Sequence, residues 1–161
     1  MLHVTQRAAF LAISVLTCGC STGLSPGSQQ TTSSRTVIDT PKAPQPAAPI
    51  AQAVRSNGLL FLSGITPLDT RLQLVKGDFD AQFKQVMTNV GAVLEAGGTD
   101  FAHVLKCTII LARVEDWPRM NALYASYWPN GSFPARTAFQ APLPSPDFLV
   151  EVECVAEIPP R

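Results

Sequence analysis

The chain has 161 residues, 46% hydrophobic and 15% charged, and its 12 basic and 12 acidic side chains leave no formal net charge. That is enough apolar material for one compact domain with its own core. It excludes a strongly basic nucleic-acid binder.

Arg7 is followed by an unbroken small and apolar run, AAFLAISVL. The run has the length of a signal-peptide core and is too short to stay in a bilayer as a spanning helix. It ends in LTCGC, which resembles the lipobox of bacterial lipoproteins, with Gly19 before the cleavage point and Cys20 as the lipidated residue; Cys18 fits that pattern poorly. A cleaved signal without lipid and a retained apolar helix are the alternatives. By the same resemblance, Ser21 favours the outer membrane. The stretch STGLSPGSQQTTSSRTVIDTPKAPQPAA, residues 21–48, is rich in Ser, Thr, Pro and Gln and poor in large apolar residues, so it reads as a disordered linker. An export signal over 1–20, a tether over 21–48 and a folded domain over 49–161 describe a periplasmic protein attached to the membrane through a lipid anchor only.

In the folded part, Ser56-Asn57-Gly58 marks a hairpin turn whose second strand is Leu59 to Ser63. TPLDTRLQLVKGD is turn-rich, with room for one further short edge strand. Asp78 or Asp80 caps a helix in which Phe83, Val86, Met87, Val90, Val93 and Leu94 recur at three- and four-residue steps before Gly97-Gly98 stops it. Val104 to Leu111 is too β-branched for a helix and reads as a buried central strand. A second helix opens at Asp116 with Pro118 in its first turn, places Met120, Leu123, Tyr124 and Tyr127 on one side, and stops before Pro129. Two strands, Ala135 to Ala141 and Leu149 to Ile158, follow. The order β-β-α-β-α-β-β predicts an α+β fold, a mostly antiparallel sheet with two helices on one face. Phe61 and Ile110 make the other face partly apolar, which predicts burial against further copies in a closed homo-oligomer.

Of the cysteines only Cys107 and Cys154 fall in the folded part, both in apolar strands, where a small buried hydrophobe is the first reading. A bridge between them in an oxidising compartment stays open. His103 is the domain's one histidine and reads as a surface residue at a strand start. No histidine or cysteine pair has metal spacing and no Gly-rich phosphate loop is present, so no metal site is expected. The remaining chemistry lies on the last two strands. Pairing polar with polar places Arg136, Gln140, Glu151 and Glu153 on one face. Taken alone, that is an ordinary solvated charge ladder.

SNGLLFLSGITPLD, QVMTNVGAVLEAGG, VLKCTIILA, MNALYASYW and FPARTAF with VEVECVA together resemble, in order and spacing, the RidA/YjgF family of imine/enamine deaminases. The resemblance covers roughly Ile50 to Ile158. It implies a chorismate-mutase-like homotrimer with ligand clefts between subunits. It also implies hydrolysis of 2-imino or 2-enamino acids to 2-keto acids and ammonia without a cofactor.

By position, Arg136 matches the family arginine that binds the substrate carboxylate, and Glu151, 15 residues on, the glutamate that holds the hydrolytic water. Ser63 and Gly64 match the SG turn lining the cleft, Ala138 a position whose backbone faces the ligand, and Asn121 the asparagine of an NA-Y helix motif. Two positions depart from the family: PIAQAV puts Ile50 where deaminases commonly have a tyrosine, and Ala138 replaces a cysteine. WPNGS is also shortened. The expected function is imine hydrolysis in a cleft that takes a small carboxylate, and the alternative is a non-catalytic carboxylate-binding protein of the cell envelope.

Overall fold

In this computed structural model, residues 35–160 are described. The export segment, Cys20 and the linker as far as residue 34 lie outside them. The folded part starts earlier than composition suggests, because three consecutive β-branched residues form strand β1 (Thr36–Ile38), paired antiparallel with β2 (Ala53–Ser56). The linker expected up to Ala48 is therefore structured over its last part. Few apolar side chains hold it; the carboxamide of Gln52 does. Its Oε1 accepts from Thr40 N at 2.6 Å, and its Nε2 donates to the carbonyls of Thr40 (3.1 Å) and Pro44 (2.9 Å). Composition does not reveal such a device, which trades backbone–water hydrogen bonds for bonds to one buried side chain.

β2 turns into β3 (Leu59–Leu62) through Asn57 and Gly58, both at positive φ, the geometry that matches the twist of two antiparallel strands. The further edge strand expected after it is reduced to single bridges, Leu68 with Leu74 and Ile65 with Val152. Helix α1 (Phe79–Gly97) starts at Asp78, whose side chain accepts from Ala81 N, and ends at Gly98 with φ of 85°. Its stripe Phe83, Val86, Met87, Val90, Val93 and Leu94 is fully buried. Strand β4 (Val104–Leu111) and helix α2 (Trp117–Tyr124) follow, the latter continued by short 3-10 turns to Gly131. Strands β5 (Ala135–Gln140) and β6 (Val150–Glu157) complete the domain. No helix among the described residues is long and apolar enough to cross a membrane.

The six strands lie in the order β1-β2-β3-β6-β4-β5, antiparallel throughout except for β4 and β5, which run parallel. The sheet is thus mixed, with both helices on one face. Val150, Val152, Cys154 and Ala156 of β6 join Cys107, Ile109 and Leu111 of β4 in the core beneath them. The other face carries Phe61, Phe139 and Ile110, the first two being 43% and 45% exposed.

This topology corrects two expectations. The last two strands are not neighbours, because β4 lies between them. Arg136 pairs with Cys107 and so shares the helix-covered face, whereas Glu151 pairs with Ile110 and shares the open one. Arg136 and Glu151 therefore point to opposite sides of the sheet. Pairing polar with polar assumed that adjacent strands in sequence are adjacent in space, and here the β5–β6 connection crosses over β4 instead. The same register places Cys107 directly opposite Cys154, and the two form a disulfide with Cα atoms 4.1 Å apart. The reading of two separate buried thiols gives way to a bridge across the middle of the sheet.

Candidate functional site

On the helix-covered face, α2 builds the surroundings of Arg136. Trp117, Met120, Asn121 and Tyr124 recur at three- and four-residue steps and so form one stripe facing β5. The guanidinium donates from Nη2 to Asn121 Oδ1 at 2.6 Å and lies 3.5 Å from Met120 Sδ. Its carbon sits 4.8 Å from the Tyr124 ring centroid and 5.9 Å from that of Trp117. Aromatic faces hold a cation by their quadrupole and leave its N–H donors free in the guanidinium plane. All ion pairs among the described residues involve other cations, so no carboxylate closes on Arg136. Nor does Tyr124 neutralise it: burial pushes that phenol up to about 12, against the opposing pull of Arg136, and keeps it uncharged. The guanidinium borders a cavity of about 370 Å³ lined also by Ala125, Phe133 and Pro134.

On the open face, Glu151 is half-buried. Burial holds its carboxyl above the usual glutamate range, and the neighbouring charge of Glu153 adds to the shift. The segment after β3 runs beside β6, with Ile65 N donating to Val152 O at 2.8 Å and Val152 N to Ile65 O at 3.1 Å. This brings Gly64 against Glu151 so closely that a Cβ there would collide with Glu151 Oε1. Ser63 Oγ is occupied, donating to Ala51 O at 2.7 Å. Ser63 and Gly64 also line a larger cleft of about 520 Å³.

The residues singled out from the sequence thus fall into two groups. Arg136 and Asn121 are hydrogen-bonded partners, with Ala138 two residues along the same strand face and packed on the core. Ser63, Gly64 and Glu151 form the second group. Gln140, expected beside the charges, instead accepts from Val114 N at 3.2 Å. Motif spacing alone does not single out Tyr124 and Trp117, the aromatic support of Arg136. Their seven-residue separation, with Asn121 between, was the available signal.

The α+β domain thus offers a guanidinium without a carboxylate partner on one face of its sheet and a half-buried carboxyl of raised pKa on the other. The chain belongs to the RidA/YjgF family: the family profile described as Endoribonuclease L-PSP matches residues 40–158. It is 38% identical over 123 residues to a 2-iminobutanoate/2-iminopropanoate deaminase of Bos taurus, covering 76% of this chain and 89% of the relative. A RutC family protein of Synechocystis is likewise 38% identical over 125 residues, covering 76% of this chain and 96% of the other. Among solved structures, the YjgF gene product of E. coli superposes with a TM-score of 0.70 at 30% identity, over 76% of this chain and 98% of that one.

Proposed function

We propose that the protein is a cofactor-independent deaminase of 2-imino acids, working in clefts where Arg136 of one protomer meets Glu151 of the next in a homotrimer. The observation that carries this reading is Arg136, which has uncharged neighbours, several unused donors and a ligand-sized cavity beside it. A guanidinium grips a carboxylate through two parallel hydrogen bonds and so fixes the adjacent imine carbon. Asn121 orients the guanidinium. Because Arg136 and Glu151 leave opposite faces of their own sheet, a second copy is needed to bring them together, and the exposed Phe61 and Phe139 on the open face support such an assembly.

The chemistry needs little more. A protonated imine carbon is electrophilic; Glu151, ionised, orients a water and accepts its proton as oxygen bonds to that carbon. Glu151 returns that proton to nitrogen, and the C–N bond breaks as the new hydroxyl gives its own proton to Glu151, leaving the 2-keto acid and ammonia. Exclusion of bulk water keeps the raised proton affinity of Glu151 useful for both transfers. The Bos taurus relative's name points to the same reaction. A second reading, ligand binding without turnover, draws support from Ile50 in the place of a tyrosine and from the occupied hydroxyl of Ser63. Export with a lipid on Cys20 is part of the proposal, and the Cys107–Cys154 bridge supports it, since such bonds persist in oxidising compartments. Mass spectrometry of the mature N-terminus tests it; an unprocessed Met1 would rule it out.

The test of function is ammonia release from 2-iminopropanoate by the wild type, Arg136→Ala and Glu151→Gln. Both variants should be inactive alone. Dissociated and reassembled at equal amounts, they should regain activity, since roughly a quarter of the clefts in random trimers combine an intact arginine with an intact glutamate. No wild-type turnover, with keto acids still binding through Arg136, would favour the second reading. Wild-type activity without recovery on mixing would remove the shared cleft.

A further inference from the structure

The larger cleft beside Gly64 has no charged side chain in its wall. Ile50, Leu68, Leu72, Phe148, Pro46 and Pro144 line it, with Ser63 and Gly64 at the end nearest Glu151. Two of these apolar side chains are exposed, Ile50 at 56% and Leu72 at 43%, so the cleft keeps large hydrocarbon surface open to a visitor.

The cleft is also braced. Three separate stretches of chain form its walls, and each is held by one buried side-chain amide. Gln52 fixes the 40–44 stretch, as described above. Asn89 of α1, 1% exposed, donates to the carbonyls of Leu68 (2.8 Å) and Thr66 (3.2 Å). Gln82 of α1, 3% exposed, donates to Asp147 O at 2.9 Å and accepts from Leu149 N at 2.8 Å, clasping Phe148 from both sides. Buried amides with satisfied hydrogen bonds rigidify what they touch. An apolar pocket whose walls are held before any ligand arrives binds a matching group without the ordering cost a mobile one would incur.

We propose that this cleft receives the side chain of the 2-imino acid, and that the protein selects branched or aromatic apolar side chains over a methyl group and over acidic ones. The inference rests on the imine-hydrolysis reading for its chemistry. An apolar group gains by leaving water for such walls, whereas an acidic one would lose its hydration and meet no cation among the lining, only polar groups such as those of Gln45, Ser63 and Thr66. Ile50 contributes to this: a tyrosine hydroxyl at that position would offer a polar contact, and isoleucine offers hydrocarbon only.

Two measurements test it. Imines generated in place by an amino-acid oxidase from leucine and from alanine should differ at least tenfold in kcat/KM, in favour of leucine, as expected when several methylenes enter a fitted pocket. By calorimetry, 4-methyl-2-oxopentanoate should bind at least tenfold more tightly than pyruvate. Ile50→Asp and Leu72→Asp, at exposed positions where the core is not disturbed, should bring both ratios towards unity. Equal or inverted ratios in the wild type, or ratios untouched by both variants, would overturn the proposal. If neither imine is hydrolysed but the binding preference holds, the deaminase reading fails and the pocket stands. If no keto acid binds, the pocket falls with it.

Discussion

The bridge between Cys107 and Cys154 joins positions separated by 47 residues, and that separation sets how much the unfolded chain is constrained. Closing a loop of this size removes about 14 cal/mol/K from the unfolded ensemble, or about 4 kcal/mol at room temperature. Against a typical domain stability of roughly 5–15 kcal/mol, that is a large share. Because both cysteines are buried, reductant acts mainly on the unfolded chain and shifts the equilibrium from that side. The assay is urea unfolding at one fixed protein concentration, with and without excess phosphine, so that oligomerisation contributes equally to both curves. With a slope of about 1–3 kcal/mol/M, the midpoint should fall by roughly 1–4 M in reductant. Cys154→Ala should unfold early under both conditions and be insensitive to reductant. Coincident wild-type curves, or free thiols located at Cys107 and Cys154 by labelling the oxidised protein after unfolding, would refute the reasoning.

Glu151 holds its proton to higher pH than an ordinary glutamate, so in the proposed reaction the ionised form that activates water fills later. The acid limb of kcat should therefore lie above the usual carboxylate range, and Glu153→Gln should move it down by removing the neighbouring negative charge. The same shift has a stability sign. A carboxyl whose folded pKa is raised favours folding while protonated and loses that contribution as pH rises through the folded value, so Glu151→Gln should flatten the pH dependence of unfolding in that window. Gly64→Ala places a methyl group against the Glu151 carboxylate and should lower kcat by displacing it, with keto-acid binding through Arg136 less affected; an unchanged kcat would argue against Gly64 as the backing of that carboxyl.

Much of the fold was legible because periodicity and punctuation agreed. α1 has its apolar stripe, aspartate cap and glycine stop in order, and the expected Val104–Leu111 strand coincides with β4. What failed was non-local. β1 is too short to stand out from a Ser/Pro-rich background, and the 40–44 stretch after it is held by Gln52, a residue beyond that stretch. The face of Arg136 followed from pairing β5 with the next strand in sequence. Only the parallel β4–β5 register places Arg136 beside Cys107, and only the antiparallel β4–β6 register places Cys107 beside Cys154. Motif spacing singles out Arg136, Asn121 and Glu151 as candidates, whereas the aromatic cradle of Arg136 requires the docking of α2 onto that strand.

The guanidinium of Arg136 has consequences before any ligand is seated. Its neighbours are an amide, a thioether and two rings, none of which answers its charge. Its field therefore reaches outward through the cavity mouth over about one Debye length, ~8 Å at physiological ionic strength. Dissolved anions are steered inward over that distance, so the capture rate of a carboxylate, more than its residence time, should decline as salt is added.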